Sequence, residues 1–286
     1  MNTQALINAA LDEDIGHGDI TTEATVSLSR RGRAVIRAKE PLVLCGLPLV
    51  QGVFEEMSRR GGAPIQVHAL HKDGDLVQSG EVVFHIDGPL GLLLTGERVA
   101  LNFLMKLSGI ATHVRPYIEA AGPNGPAVVD TRKTTPLLRK WEKYAVSCGG
   151  GKNHRFALFD GVMIKDNHIA AVGGLSEAVA LARARVHHLV KIQVEVETLE
   201  QLREALKTSA EVLLLDNMND ELLQEAVRVA RSIRPEVVLE ASGNITPERI
   251  ARIRDFGLDV VSSGGLIHQA RWVDLSMRID AVHDDS

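Results

Sequence analysis

From residue 126 onward the chain repeats a strand, a loop and a helix. Short apolar runs occur at Ala127–Asp130, Val162–Lys165, Lys191–Val196, Val212–Asp216, Val237–Ala241 and Asp259–Ser262. They are mostly continuous rather than alternating, the pattern of strands covered on both faces of a parallel sheet. Helix signals sit between them. Thr198 and Gln201 fit a capping box, and Thr246 followed by Pro247 fits an N-cap with proline at the first helical position. The later runs recur roughly every 20 to 30 residues, about the length of one β/α unit, and six runs fall short of the eight of a full barrel. The expected architecture is therefore an incomplete α/β barrel. A doubly wound open sheet is the alternative, because repeated β/α units alone do not fix the winding.

The first ninety residues have another texture. A short helical pattern leads into strand-like segments at Ala34–Ala38, Pro64–Leu70 and Val82–Ile86, with a turn at Asp73-Gly74-Asp75. This reads as a small α/β unit with an antiparallel sheet. Between the two textures, Val99, Phe103, Leu107, Ile110 and Val114 recur at helical spacing within Thr95–Ala120, which reads as a buried connecting helix.

Composition excludes several classes. The chain has 286 residues, 45% hydrophobic and 3% aromatic, with a net charge of −5. A nucleic-acid surface would want a basic patch with stacking rings, so that partner is not expected. No apolar stretch approaches the roughly 18 residues of a membrane span. The start, MNTQALINAALDED, is acidic and does not read as a signal peptide. Cys45 and Cys148 are far apart in sequence and form no CxxC motif, so the cytoplasm is the expected compartment. Taken alone, Cys148 has no evident base and reads as a packed, inert thiol.

Against that mildly acidic background, Asp130–His168 concentrates cations. Thr131, Arg132 and Lys133 follow the first run. Gly149–Gly151 precede Asn153, His154 and Arg155. The second run delivers Lys165. Such a set suits a small, strongly anionic ligand. Barrel enzymes place their functional groups at the C-terminal ends of strands, and every run here ends in polar residues. Glu195 and Glu197 close the third, Asp216 and Asn217 the fourth. Glu240 and Ser242-Gly243-Asn244 close the fifth, and Ser262, Ser263, Gly264 and Gly265 the sixth. The last two ends are small and glycine-rich, as phosphate-binding loops are. Two readings stay open for Glu195 and Asp216. They are salt-bridge partners that orient the lysines, or they hold sugar hydroxyls or a Mg²⁺ ion carried by a phosphorylated substrate. Glu197 is the rival of Glu195 for either role.

These motifs together resemble the quinolinate phosphoribosyltransferases, also called nicotinate-nucleotide pyrophosphorylases (carboxylating), a type II phosphoribosyltransferase family. The resemblance runs nearly the whole chain, through EDIGHGDITT, LVLCGLP, GERVALNFLMKLSGIAT, DTRKTTPLLR, KYAVSCGGGKNHRFALFDGVMIKDNHI, VEVETLEQL, LLLDNM, EASGNIT and GLDVVSSGGLIH. One departure is Ile267, where the family usually has threonine before His268.

The resemblance implies an α/β fold with an N-terminal α/β sandwich domain (1–108) and an open seven-stranded α/β barrel (109–269), residues 270–286 packing back on the first domain. It implies transfer of a phosphoribosyl group from phosphoribosyl pyrophosphate to quinolinate with loss of CO₂, giving nicotinate mononucleotide in NAD biosynthesis. It further implies Mg²⁺ bound through the substrate, no organic cofactor, and a homodimer or higher oligomer with Arg98 donated across the interface. Arg132, Lys133, His154, Arg155 and Lys165, with Thr131 beside them, match residues that bind the pyridine dicarboxylate and phosphates. Glu195 and Asp216 match the carboxylates near the ribose. Ser242, Gly243, Asn244, Ser263, Gly264 and Gly265 match the loops on the 5′-phosphate. A paralogue with another acceptor, such as a molybdenum-transport-linked one, is opposed by the intact KNHR and IKDNH segments. A non-catalytic ligand sensor predicts losses among Arg132, Lys133, Arg155 and Lys165, and none is lost.

Overall fold

The computed structural model describes residues 2–27 and 29–283. Met1, Leu28 and the last three residues of the 270–286 segment lie outside the described residues. The chain divides into two compact units. The first comprises residues 1–113, 135–150 and 270–286, and the second residues 114–134 and 151–269.

The first unit opens with α1 (Thr3–Ile15) and α2 (Ile20–Thr25), followed by β1 (Arg31–Ala38), β2 (Leu42–Val43), α3 (Leu47–Gly61), β3 (Gln66–Ala69), β4 (Leu76–Val77) and β5 (Val82–Pro89). Local chemistry sets these limits. Asn2 caps α1 by accepting from Ala5 N, and Asp19 caps α2 through Thr22 N. Pro48 stands in the first turn of α3, and Arg59 and Arg60 in its last turn face the negative end of the helix dipole. The apolar face of α3 (Leu49, Val50, Val53, Phe54) and the inward residues Ile36, Phe84 and Ile86 of β1 and β5 are fully buried and form much of this unit's core. The helix α4 (Leu90–Ala121) starts five residues before the sequence pattern suggests and runs across the boundary between the units.

In the second unit β6 (Ala127–Val129) comes first. The chain then contributes α5 (Arg139–Cys148) to the first unit before continuing with β7 (Val162–Ile164), α6 (Asp166–Val172), α7 (Leu175–Arg185), β8 (Ile192–Val196), α8 (Leu199–Ala205), β9 (Val212–Asp216), α9 (Asp220–Ile233), β10 (Val238–Ser242), α10 (Pro247–Ile253), β11 (Val260–Ser262) and α11 (Gly265–His268). The Thr198–Gln201 capping box and the Thr246 N-cap both form. The final strand, β12 (Leu275–His283), returns to the first unit and pairs antiparallel with β1, giving a four-stranded sheet in the order β12-β1-β5-β3.

All six apolar runs become parallel strands of one sheet, ordered β6-β11-β10-β9-β8-β7. Every pair of consecutive strands is adjacent except β6 and β7, so the strand order never reverses. That is the winding of a barrel opened between β6 and β7, and not of a doubly wound sheet, which needs a switch point. Beyond β6 the sheet continues as one parallel bridge, Val129 to Lys152. This single pair stands where a seventh strand would, and the glycines at 149–151 account for its brevity, since glycine weakens strands. Among the described residues, no helix is long and apolar enough to cross a membrane.

Candidate active site

A cavity of about 690 Å³ opens at the C-terminal ends of the six strands. Thr131, Arg132 and Lys133 reach it from the end of β6, and His154 and Arg155 from the segment after the Lys152 bridge. Lys165 follows β7, Glu195 lies near the end of β8, and Asp216 ends β9. Ser242, Gly243 and Asn244 follow β10, and Ser263, Gly264 and Gly265 follow β11. Arg98 is exposed on α4 of the first unit and does not line this cavity.

Two buried carboxylates hold the His154–Arg155 segment. Asp130 has no solvent exposure and accepts Asn153 Nδ2 at 2.7 Å and the His154 backbone N–H at 2.9 Å. Glu240, 4% exposed, accepts Gln193 Nε2 at 2.8 Å and lies 3.4 Å from His154 Nε2. Burial pushes the Glu240 carboxyl up, but hydrogen bonds from His154, Ser262 and Gln193 more than offset this and hold it below the ordinary range. Arg155 is braced by hydrogen bonds from Nη1 to Gly161 O at 2.7 Å and from the backbone N–H to His154 Nδ1 at 2.7 Å. Its guanidinium is pushed below its ordinary value by burial and by the neighbouring positive charge of Arg132. Two guanidiniums held close enough to repel each other make a site that an anion relieves.

The opposite wall is acidic. Lys165 Nζ sits 2.5 Å from Glu195 Oε2, so Glu195 does orient a lysine. Asp216 Oδ2 accepts Asn217 Nδ2 at 2.7 Å. Oxygens of Glu195, Glu197 and Asp216 lie within 4.8 Å of one another, a set of hard donors that fits Mg²⁺.

Gly243 and Asn244 take φ of 89° and 49°, a left-handed pair that turns the chain sharply after β10. Arg249 pins the turn from behind, with Nη1 donating to Gly243 O at 2.5 Å and Nε to Asp220 Oδ1 at 3.0 Å. A side chain at position 264 would meet the Lys133 stem, its Cβ lying 2.7 Å from Lys133 Cδ, so the absence of one there lets Lys133 pass. Ile267 is buried in α11 and turns into the core, 4% exposed.

The family model for the quinolinate phosphoribosyl transferase C-terminal domain matches residues 110–278, and that for the N-terminal domain matches residues 19–108. The chain belongs to the quinolinate phosphoribosyltransferase family. A probable nicotinate-nucleotide pyrophosphorylase [carboxylating] of Synechocystis is 43% identical over 94% of this chain and 90% of its own length. One from Bacillus subtilis is 39% identical over 98% and 94%. Among solved structures, NadC from Streptococcus pyogenes superposes with a TM-score of 0.89 at 43% identity, covering 96% of this chain and 94% of that one. The nicotinate-nucleotide pyrophosphorylase from Francisella tularensis superposes with a TM-score of 0.90 at 34% identity, covering 97% and 96%.

Beyond the site residues named from the sequence, Asp130, Gln193 and Arg249 support the site, Glu240 (named only as a polar strand end) both supports and lines it, and Met163, His268 and Gln269 also line the cavity. Glu240 carried a signal, a lone charge inside an apolar strand. Gln193 carried a weaker one of the same kind.

Proposed function

We propose that this chain transfers the phosphoribosyl group of phosphoribosyl pyrophosphate to quinolinate and releases nicotinate mononucleotide, pyrophosphate and CO₂. The observation that carries the proposal is the Arg132–Arg155 pair, two mutually repelling cations joined in one cavity by Lys133 and faced by Glu195 and Asp216. Quinolinate has two adjacent carboxylates, and its co-substrate has a phosphate and a pyrophosphate. Bringing these anions together requires fixed positive charge, which arginine supplies bidentately. The pyridine nitrogen attacks the anomeric carbon as pyrophosphate leaves. The ribosyl centre becomes cation-like, and the Glu195 and Asp216 carboxylates stabilise it. The 2-carboxylate then leaves as CO₂, the N-ribosylated ring holds the electron pair left at that carbon, and a proton from solvent fills the position. Ser242–Asn244 and Ser263–Gly265 are assigned to the 5′-phosphate. Glu195 and Asp216, with Glu197 beside them, would hold a Mg²⁺ ion brought by the pyrophosphate, which would supply neutralising charge for that leaving group.

The same reading includes a cytoplasmic homodimer in which Arg98 completes the partner's cavity. Its exposure on α4 and its absence from the lining of its own chain's cavity support this. The test is incubation of the pure protein with quinolinate, phosphoribosyl pyrophosphate and Mg²⁺, with nicotinate as a competing acceptor. Quinolinate-dependent nicotinate mononucleotide is expected. Its absence across a broad pH range overturns the assignment, and binding without turnover would mark a sensor.

A further inference from the structure

Outside the cavity, the first unit holds a cluster that the proposed reaction does not use. Cys45 follows β2 and Cys148 ends α5, and their sulfurs lie within 4.8 Å of each other and of an Asp73 oxygen. Cys45 has no solvent exposure. Its backbone is clamped by Ser108, whose Oγ accepts the Cys45 N–H at 2.9 Å and donates to the Cys45 carbonyl at 3.1 Å. Cys148 is half-buried at the end of α5, so it is the more accessible of the two. Tyr144 stands one helical turn before Cys148 and donates its hydroxyl to Asp73 Oδ2 at 2.8 Å.

Two chemistries suit such a cluster, a metal site and a thiol redox site. The bonding of Asp73 decides between them. Its Oδ1 accepts the backbone N–H groups of Gly46 and Leu47 at 2.9 and 3.2 Å, and its Oδ2 accepts Tyr144. Both oxygens are therefore engaged, Oδ1 at the start of α3 and Oδ2 by Tyr144 of α5, which leaves two sulfurs where zinc wants four ligands. The sulfurs are also unequal. The Cys148 thiol is held below its ordinary value, chiefly by its interaction with Cys45, against burial and the nearby Asp73 charge, which both push it up. Cys45 is pushed up by the same interaction and by burial. Cys148 is also the sulfur that a small oxidant in solvent can reach, whereas Cys45 has no solvent exposure. That division of labour belongs to an attacking and a resolving cysteine.

We propose that Cys148 and Cys45 form a modification site for hydroperoxides, at which Cys148 is oxidised first and Cys45 resolves it into an intrachain disulfide. In the first step the Cys148 thiolate attacks one peroxide oxygen and the O–O bond breaks. Cys148 becomes a sulfenic acid, and the departing hydroxide takes a proton to leave as water. In the second step Cys45 Sγ attacks Cys148 Sγ and the S–O bond breaks. A second water leaves with the Cys45 proton as the S–S bond forms. Two thiols lose two electrons and two protons, and hydrogen peroxide becomes two waters. Closing the sulfurs to about 2.05 Å falls to Cys148, because Ser108 clamps the Cys45 backbone through both its N–H and its carbonyl. A disulfide made only on exposure to oxidant agrees with a reducing compartment, where such bonds are transient. Nothing here depends on the proposed catalytic reaction.

The experiment treats the full-length protein with a small molar excess of hydrogen peroxide at neutral pH, then counts thiols after denaturation and maps peptides by mass. Wild type is expected to lose both thiols together and two hydrogens in mass. It should yield a peptide joining Cys45 to Cys148 and recover on reduction. Cys45→Ser stops at a Cys148 sulfenic acid that dimedone traps. Cys148→Ser keeps the Cys45 thiol over the same interval. Three results overturn the proposal: wild-type Cys148 passing to the sulfinic acid with no joined peptide, both thiols surviving peroxide that consumes free glutathione, or stoichiometric zinc released from the isolated protein by thiol modification.

Discussion

Gly243→Ala tests whether the turn after β10 is built to the tolerance that the geometry suggests. Gly243 has φ of 89°, and a Cβ there would lie 2.1 Å from Asn217 Oδ1 and 3.0 Å from the Asn217 backbone nitrogen. The Asn217 side chain can rotate away, but its backbone is fixed by the N–H donated to Ser242 O at 3.1 Å. Rotation also breaks the 2.7 Å bond from Asn217 Nδ2 to Asp216. Gly257 isolates the backbone contribution. It has φ of 94°, and a Cβ there would meet only Val227 Cγ1 at an ordinary 3.5 Å, beyond the opposite end of the strands from the cavity. Forcing alanine into the left-handed region costs about 1–2 kcal/mol at either site, and overpacking adds about 1–3 kcal/mol at Gly243 alone. Urea denaturation should therefore place Gly257→Ala about 1–2 kcal/mol and Gly243→Ala about 2–5 kcal/mol below wild type. Releasing Asp216 from a charge-assisted hydrogen bond is worth about 1.5–3 kcal/mol. If that orientation is needed in the transition state, kcat/KM of Gly243→Ala falls roughly tenfold to a hundredfold, while Gly257→Ala keeps full activity. Equal losses of stability in the two variants, or full activity in Gly243→Ala, refutes the reasoning.

Other substitutions probe other levels. Glu56, buried in α3, has a carboxyl pulled down to about 2 from its ordinary 4.5, first by the hydrogen bond from Arg59 and also by Arg60 against the effect of burial. A depressed carboxylate stabilises the fold above the unfolded value and loses that contribution as pH falls through the folded one, so the window runs from about 4.5 down to about 2. The gap sets a ceiling of ~3 kcal/mol, and the 69% exposure of Arg59 reduces the expectation to ~1–2 kcal/mol. Glu56→Gln should show that deficit in denaturation at pH ~7 and converge on wild type near pH ~2; a pH-independent deficit would count against the ion pair. Glu240→Ala strands Gln193 Nε2 in the barrel interior and should cost about 1–3 kcal/mol in stability, and Glu240→Asp should recover part of it; a loss below about 0.5 kcal/mol, no larger than an ordinary surface change, would mean that the network contributes little. If the proposed homodimer shares its sites, mixing inactive Arg98→Ala and Lys133→Ala proteins under subunit exchange should restore partial activity. Persistent inactivity with exchange demonstrated by mass would exclude a shared site.

The barrel strands were legible because each is a short apolar run with a polar end, and Val212–Asp216 is realised with the limits its sequence suggests. The cavity was legible for the same reason, since what terminates a parallel strand is what faces the opening. Strand order was not, because β6 joins β11 only through contacts between residues far apart in sequence. Nor was the placement of α5 in the first unit, as helical periodicity gives a helix an apolar face without naming what covers it. The Cys45–Cys148 proximity belongs with these non-local facts. Glu240 was misjudged in depth. It pairs in register with Leu214, one side-chain repeat below the Ser242–Asp216 pair, so it points into the barrel beneath the opening.

That depth explains why the proposed anion site has carboxylates beneath it. Fixing a residue's backbone costs about 1–2 kcal/mol, and the segment bearing His154 and Arg155 follows three glycines, which lose the most on ordering. Asp130 holds this segment by the Asn153 amide and the His154 N–H, and Glu240 approaches the other side of the same histidine through Nε2. Each carboxylate is buried with its partners, so neither can exchange them for water cheaply. Arg155 is thereby set against Arg132 before any ligand arrives, and the repulsion between them is part of the folded state. Under the proposed function the anion would not have to gather its cations on binding, because the chain is ordered around them beforehand. It would also relieve a repulsion already present. A protein with a net charge of −5 can in this way hold a multiply charged anion through local preorganisation rather than overall charge.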